Sequence, residues 1–211
     1  MPVCRIKKKS KILKESSWEQ VKEAFAIESR AITAALQRID KDSFARAVDA
    51  LKKAERIGAS GCGHSGIACR HFAHLMCCIE RPARFISPAE AVHGGMGFIQ
   101  RGDALVWVSR GGKTAELVPI LKIAHGKGAV IIGITENYDS PLAGSSDILL
   151  PMTVERETDK FNAQGTTSFC VTNIIFDALQ TALIEETGFN NEQFAVIHPG
   201  GAVGERLNRK G

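Results

Sequence analysis

A chain of 211 residues, 44% hydrophobic and 24% charged, is sized for one unit with a substantial core. Its formal charge of +4 owes much to Lys7, Lys8, Lys9, Lys11, Lys14 and the Arg209-Lys210 end, which read as solvated termini and not as a nucleic-acid surface. No eighteen-residue apolar run and no signal-peptide core occur, so the expectation is a cytoplasmic protein with neither membrane nor nucleic-acid partners.

Residues 1–17 read as a basic N-terminal segment, and 18–211 as one unit. From 18 to 38 the near-helical spacing of Val21, Phe25, Ile32, Leu36 and Ile39 predicts a helix, and Asp42 or Ser43 then caps a second through about Lys53. These form an N-terminal helical arm. Beyond Arg56, "RIGAS", "ARFIS", "ALVWV", "AVIIGIT" and "DILLP" predict strands. Helices run between them from a glycine loop to about Cys78, from Thr114 to His125, and near Ser140. Alternating strands and helices imply right-handed crossovers, hence a doubly wound α/β domain with a parallel sheet. "TTSFCVTNIIFDALQTALIEE" predicts a long helix capped by Thr166 or Thr167, uncharged through Ile175 and therefore placed in the core or against another subunit. "FNNEQFAVIHPGGAVGERL" predicts a short helix, a proline-glycine break and a last turn.

The six cysteines, Cys4, Cys62, Cys69, Cys77, Cys78 and Cys170, read as reduced thiols. Cys62, His64, Cys69, His71, His74, Cys77 and Cys78 crowd one region, yet their spacing matches no structural zinc pattern. No metal is expected.

Ligands of open α/β sheets bind beyond the carboxyl ends of the strands, and three loops there carry chemistry. In "ASGCGHSG", Gly61, Gly63 and Gly66 spell the dinucleotide fingerprint. Nicotinamide binding also wants an acid at the end of the next strand, where the chain has Ser87-Pro88 and reaches Glu90 only later. No cofactor is predicted. A glycine loop with Ser65 at a helix start suits a single phosphate equally well. "WVSRGGKTAEL" resembles an ATP-binding P-loop at Gly112-Lys113-Thr114, but Trp107 stands where that loop needs its first glycine. The hydroxyls of Ser109 and Thr114, the backbone around Gly111, and the cations of Arg110 and Lys113 can instead close on a phosphate dianion. The plain alternative is a solvated basic turn, with Glu116 complementing a helix dipole. The third loop, "SPAEAVHGGMG", carries His93, and the C-terminal "IHPGG" carries His198. Both are suited to proton transfer near neutral pH.

"GCGHSG", "PAEAVHGGMGFIQRGD", "SRGGKTAEL", "ITENYDSPLAGSSDILL" and "FAVIHPGGAVGERL" together resemble, over residues 20–208, the sugar isomerase (SIS) domain, and within it the D-arabinose 5-phosphate isomerases of the KpsF/GutQ type. The resemblance implies a five-stranded parallel sheet flanked by helices and a homo-oligomer, tetramer or dimer, whose subunits complete each other's sites. It implies a sugar-phosphate ligand held by Gly63, His64, Ser65, Ser109, Arg110, Gly111, Lys113 and Thr114, with Glu116, Glu157, His93 and His198 around the sugar carbons. Aldose to ketose isomerisation through an enediol needs a base for the C2 proton, and Glu116 or His198 fills that role. His93 would open the ring or steady the enediol oxygens, and Glu157 would orient hydroxyls or a partner histidine.

The pattern departs from the family in three places. His64 stands where a lysine is usual. Ser-Asn-Ser-Gly-Glu-Thr is replaced by a loop carrying Arg110, Gly111 and Lys113, and the lost hydroxyl forfeits about 1 kcal/mol that Arg110 or Lys113 would offset. No counterpart of the regulatory cystathionine-β-synthase-type modules appears before Gly211, so regulation through them is not expected. The leading reading is a phosphosugar isomerase, with D-arabinose 5-phosphate and D-ribulose 5-phosphate as its pair and other phosphosugars open. The alternatives are a non-catalytic phosphosugar-binding sensor and an NAD-dependent oxidoreductase.

Overall fold

The computed structural model describes residues 13–208. Lys7, Lys8, Lys9, Lys11, Cys4, Arg209 and Lys210 lie outside the described residues. Five parallel strands, β1 (Ile57–Gly61), β2 (Ala83–Phe85), β3 (Ala104–Val108), β4 (Val130–Thr135) and β5 (Ile148–Pro151), form one sheet in the order β2-β1-β3-β4-β5. Every residue of β1 and β3 is buried, because helices cover both faces, and this is why those strands read as unbroken apolar runs.

Alternate residues of β3 feed two cores. Ala104, Val106 and Val108 join a cluster with Leu51, Phe72, Phe176 and Leu179, while Leu105 and Trp107 join one with Ile99, Ile120, Leu121 and Leu142. The first lies under α1 (Glu15–Arg38), α2 (Lys41–Lys53), α3 (Gly63–Cys77) and α7 (Thr167–Thr187); Phe72 and Phe176 stack there with ring centres 4.4 Å apart. The second lies under α4 (Pro88–Ala91), α5 (Val118–Lys127) and α6 (Pro141–Ser145). Connections leave β1 and β3 towards opposite faces, so the topological switch point falls between these two strands. The sheet is the doubly wound α/β arrangement that alternation of strands and helices implies.

Four local features differ from the sequence expectations. Helix α1 starts at Glu15 and buries Ile27 and Ala35, with Ala31 partly buried between them, while Trp18, Val21, Phe25 and Leu36 stay exposed. Small residues let α1 lie close to α7, so the stripe of larger apolar residues faces outward. The cap of α2 is Asp40, whose carboxylate accepts the Ser43 N–H at 2.7 Å; Asp42 sits inside the first turn. The segment from Thr114 makes a 3-10 turn at Ala115–Leu117, and α5 begins at Val118, because Pro119 is tolerated only in a first helical turn. Part of the third loop is itself helical, with α4 starting at Pro88 and a 3-10 turn at Gly95–Phe98.

Helix α7 is, among the described residues, the one helix long and apolar enough to cross a bilayer, and α1, α2 and α3 pack against it. It ends at Gly188 in the left-handed conformation. Two short helices follow, α8 (Asn191–Ile197), closed by a capping box between Asn190 and Gln193, and α9 (Gly201–Asn208).

Candidate phosphate and sugar site

Three groups of polar atoms lie near the switch point, at the start of α3, in the turn after β3 and at the start of α7. Helix α3 has no side-chain cap, and the first N–H to reach a carbonyl is that of Gly66, bonded to Cys62 O at 3.3 Å. The N–H groups of Gly63, His64 and Ser65 are thus free among the described residues, which makes an anion seat. Its third glycine is steric: a Cβ on Gly66 would stand 2.6 Å from Gly61 O, so only glycine lets α3 pack this tightly on β1. No acid follows β2 before Glu90, which lies in α4, so the glycine pattern is without the ribose-binding carboxylate of a dinucleotide site.

The second group is the turn after β3. Ser109 is buried, and its Oγ lies 3.0 Å from Thr114 Oγ1 and accepts the Gly112 N–H at 3.1 Å. Gly112 has φ +65°, and a Cβ there would overlap the Ser140 hydroxyl, the group that caps α6. Its carbonyl accepts the Leu142 N–H at 3.2 Å, so α6 buttresses the turn from behind. Gly111 and Lys113 are exposed at its tip, and Lys113 has no ion-pair partner among the described residues.

The third group is the start of α7, which residue-by-residue reading of the sequence treated only as a helix cap. Thr166 caps nothing with its side chain; its Oγ1 donates to Glu157 Oε2 at 3.3 Å. The Thr167 hydroxyl is buried without a partner among the described residues. Gly165 backs onto His64, where a Cβ would stand 3.1 Å from the imidazole, and Phe169 meets the same ring edge-on at 6.3 Å. The exposed His64 therefore joins the first loop to the start of α7.

Between the start of α3, the end of β2, the start of α4 and Glu116 opens a cleft of about 420 Å³, lined by Gly61, Cys62, Gly63, Arg70, Ser87 and Glu116 among others. Glu116 is exposed in the 3-10 turn after Thr114. Partial burial raises the Cys62 thiol above its ordinary value, and the nearby Glu116 carboxylate raises it further by repelling the thiolate. Arg70 reaches the same cleft with its guanidinium 3.9 Å over the Phe85 ring. Its periodicity in the sequence is that of an ordinary outward residue of α3, so nothing marked it. His93 is exposed, its N–H bonded to Glu90 O at 3.1 Å, on the segment whose α4 packs against the Glu116 turn.

Arg110 points elsewhere than a free phosphate ligand would. Its Nε donates to Glu136 at 2.8 Å and its Nη1 to Glu157 at 2.6 Å. Glu157 is buried and accepts the Ser168 N–H at 3.1 Å. The Arg110 cation is thus already paired, whereas Lys113 is exposed and without an ion-pair partner among the described residues.

His198 is not at the mouth within one chain. Phe194 lines a cleft with Cys78, Ile79 and Gln180, and Gln193 Nε2 donates to Glu80 at 3.1 Å, which puts α8 at the far end of α3. The His198 ring lies 5.0 Å from that of Phe194. A fifteen-residue helix is about 22 Å long, so the site where Phe194 docks beside Cys78 lies about a helix length from Gly63. The His198 Nδ1 is buried with no partner among the described residues. The cysteines and histidines of α3 are likewise spread around the helix, and the described residues hold no group of three side chains fit for a metal ion.

The SIS domain model matches residues 50–182. The chain is 38% identical over 182 residues to the arabinose 5-phosphate isomerase KdsD of Pseudomonas aeruginosa, covering 86% of this chain and 56% of the relative, so it spans about half the length of that protein. A putative sugar-phosphate isomerase of Listeria monocytogenes superposes with a TM-score of 0.86 at 35% identity, covering 90% of this chain and 100% of that one. The c3406 protein of Escherichia coli CFT073, solved in complex with arabinose 5-phosphate, superposes at 0.82 and 26% identity, over 89% and 100% of the two chains. Matched by the family model over most of its sheet and helices, the chain belongs to the SIS-domain family.

Proposed function

We propose that this chain is a phosphosugar aldose-ketose isomerase working through an enediol, with D-arabinose 5-phosphate and D-ribulose 5-phosphate as its pair. The observation that carries this reading is that Gly63, at the free N–H end of α3, and Glu116, two residues beyond the Thr114 hydroxyl that meets Ser109, line one cleft. In this reading a phosphate sits on those N–H groups and hydroxyls, with the sugar carbons towards Glu116. The names of the KdsD relative and of the arabinose 5-phosphate complex support the choice of pentose phosphate.

In this reading the helix terminus, Ser65, Ser109, Thr114 and Lys113 neutralise the phosphate and fix the open-chain sugar. Glu116 removes the C2 proton and returns it at C1. His93, on the adjoining loop, assists ring opening and donates to the enediol oxygens. His198 enters from a second copy of the chain, since its own cleft is a helix length away. The exposed Trp18, Val21 and Phe25 of α1 support such an assembly, because an apolar surface of this kind is a contact surface.

The test is incubation with aldose and ketose phosphates in heavy water. Deuterium at C2 of arabinose 5-phosphate, together with ribulose 5-phosphate formation, is the expected result. Tight binding without exchange for every compound tried would instead describe a phosphosugar sensor.

A further inference from the structure

Arg110 occupies a place where the family pattern has a small polar residue, and its guanidinium joins three segments at the carboxyl edge of the sheet. It belongs to the turn after β3; Glu136 follows β4; Glu157 lies on the segment between β5 and α7. We propose that Arg110 is a positioning residue for the phosphate cradle, and that Glu157 serves this pairing instead of proton transfer. The proposal rests on the sugar-phosphate reading of the site.

Both oxygens of Glu157 are taken. Oε1 accepts from Arg110 Nη1 at 2.6 Å, and Oε2 accepts from Ser168 N at 3.1 Å and Thr166 Oγ1 at 3.3 Å. The side chain is 2% exposed and does not line the cleft that Glu116 lines. A carboxylate with every oxygen engaged by a donor, and out of the cleft, is poorly placed to take a proton from carbon. It is well placed to fasten the start of α7 to the turn after β3.

The backbone of Arg110 is held as firmly as its side chain. Its carbonyl accepts Thr135 Oγ1 at 2.8 Å and the Glu136 N–H at 3.2 Å. Residues 111–114, whose N–H groups and hydroxyl make the second part of the cradle, therefore hang from an anchored residue. Arg110 is also, among the described residues, the one cation paired with Glu157. Removing it leaves a buried carboxylate without its cation and unties Glu157, with the start of α7 that it holds, from the turn after β3.

Calorimetry with an unreactive alditol 5-phosphate, followed by kinetics with D-arabinose 5-phosphate, tests this on the unsubstituted protein, Arg110→Gln, Arg110→Lys and Glu157→Gln. Binding should weaken roughly tenfold or more in Arg110→Gln and recover in part in Arg110→Lys, which keeps the cation but loses the planar fork. KM should rise by a similar factor while kcat stays within about fivefold, and Glu157→Gln should keep both limbs of the pH profile of kcat. An unpaired Glu157 threatens folding in Arg110→Gln, so the neutral double variant Arg110→Gln/Glu157→Gln carries the same expectation: raised KM, retained kcat. A loss of kcat of about a thousandfold in Glu157→Gln, with one limb of the profile missing, would overturn the proposal. So would unchanged binding in the folded double variant. If the unsubstituted protein binds the alditol phosphate but exchanges no deuterium, the isomerase reading alone fails and the binding comparison decides Arg110; if it binds nothing, both fail.

Discussion

Ser109 Oγ and Thr114 Oγ1 lie 3.0 Å apart across a turn that no regular secondary structure holds. Within the pair one hydroxyl donates to the other and Ser109 also accepts the Gly112 N–H, which leaves the hydrogen of the second hydroxyl for an incoming oxygen. Ser109→Ala should therefore weaken binding of a sugar phosphate about tenfold, on the order of 1–2 kcal/mol, and Thr114→Val should do the same. Titration calorimetry with the alditol 5-phosphate reads both; equal affinities would place the phosphate elsewhere.

Gly112→Ala carries two penalties, a side chain at φ +65° and overlap with the Ser140 hydroxyl. The expected loss is roughly 1–3 kcal/mol of stability, visible as a lower urea midpoint with an unchanged slope. Gly111 meets nothing within 4 Å and has an ordinary φ, so Gly111→Ala is the control that should unfold as the unsubstituted protein does.

Glu116→Gln keeps the size of the cleft wall and removes its carboxylate. Deuterium exchange at C2 should fall by about 10²–10⁴-fold while affinity for the alditol phosphate stays close to unchanged. Exchange at the unsubstituted rate would pass the role of base to another group.

The Cys62 thiol is held above its ordinary range first by burial and then by the Glu116 carboxylate. Both effects disfavour the thiolate, so alkylation by iodoacetamide at Cys62 should be slow at neutral pH and accelerate only above the usual thiol range. Removing the negative neighbour stabilises the thiolate, so in Glu116→Gln the midpoint of the rate profile should move to lower pH. Peptide mass spectrometry separates Cys62 from the exposed Cys77; a midpoint that stays put would show that the two side chains are too far apart to interact.

His198→Asn and Glu116→Gln should each be inactive alone. Mixed and allowed to exchange subunits, they should regain activity, because one copy supplies an intact His198 to a cleft with an intact Glu116. A mixture as inactive as its components would confine each site to one chain.

Much of the scaffold was legible without coordinates. "ALVWV" and "AVIIGIT" admit no solvent-facing side, so they had to be strands covered on both faces, and the glycine loops that follow strands had to sit at the carboxyl edge. Serine, threonine and glycine at a helix start announce an anion seat through local backbone geometry alone. Pro119 sets a boundary as well: its place in a first turn moves the start of α5 to Val118 and leaves Glu116 in a tighter turn lining the cleft.

What the chain order alone determined, then, was which segments become strands, helices and phosphate loops, because periodicity and turn chemistry act between near neighbours. Tertiary structure decided the rest. Arg110 and Glu157 are 47 residues apart, and nothing in either local stretch says that their loops meet or that a cation poised for phosphate is spent on a buried carboxylate. The inward face of α1 was settled by the small residues that allow close approach to α7, not by its larger apolar stripe. The distance of His198 from the cleft follows from the length of α3 and the docking of α8 at its far end, a relationship between whole elements to which no short pattern is sensitive.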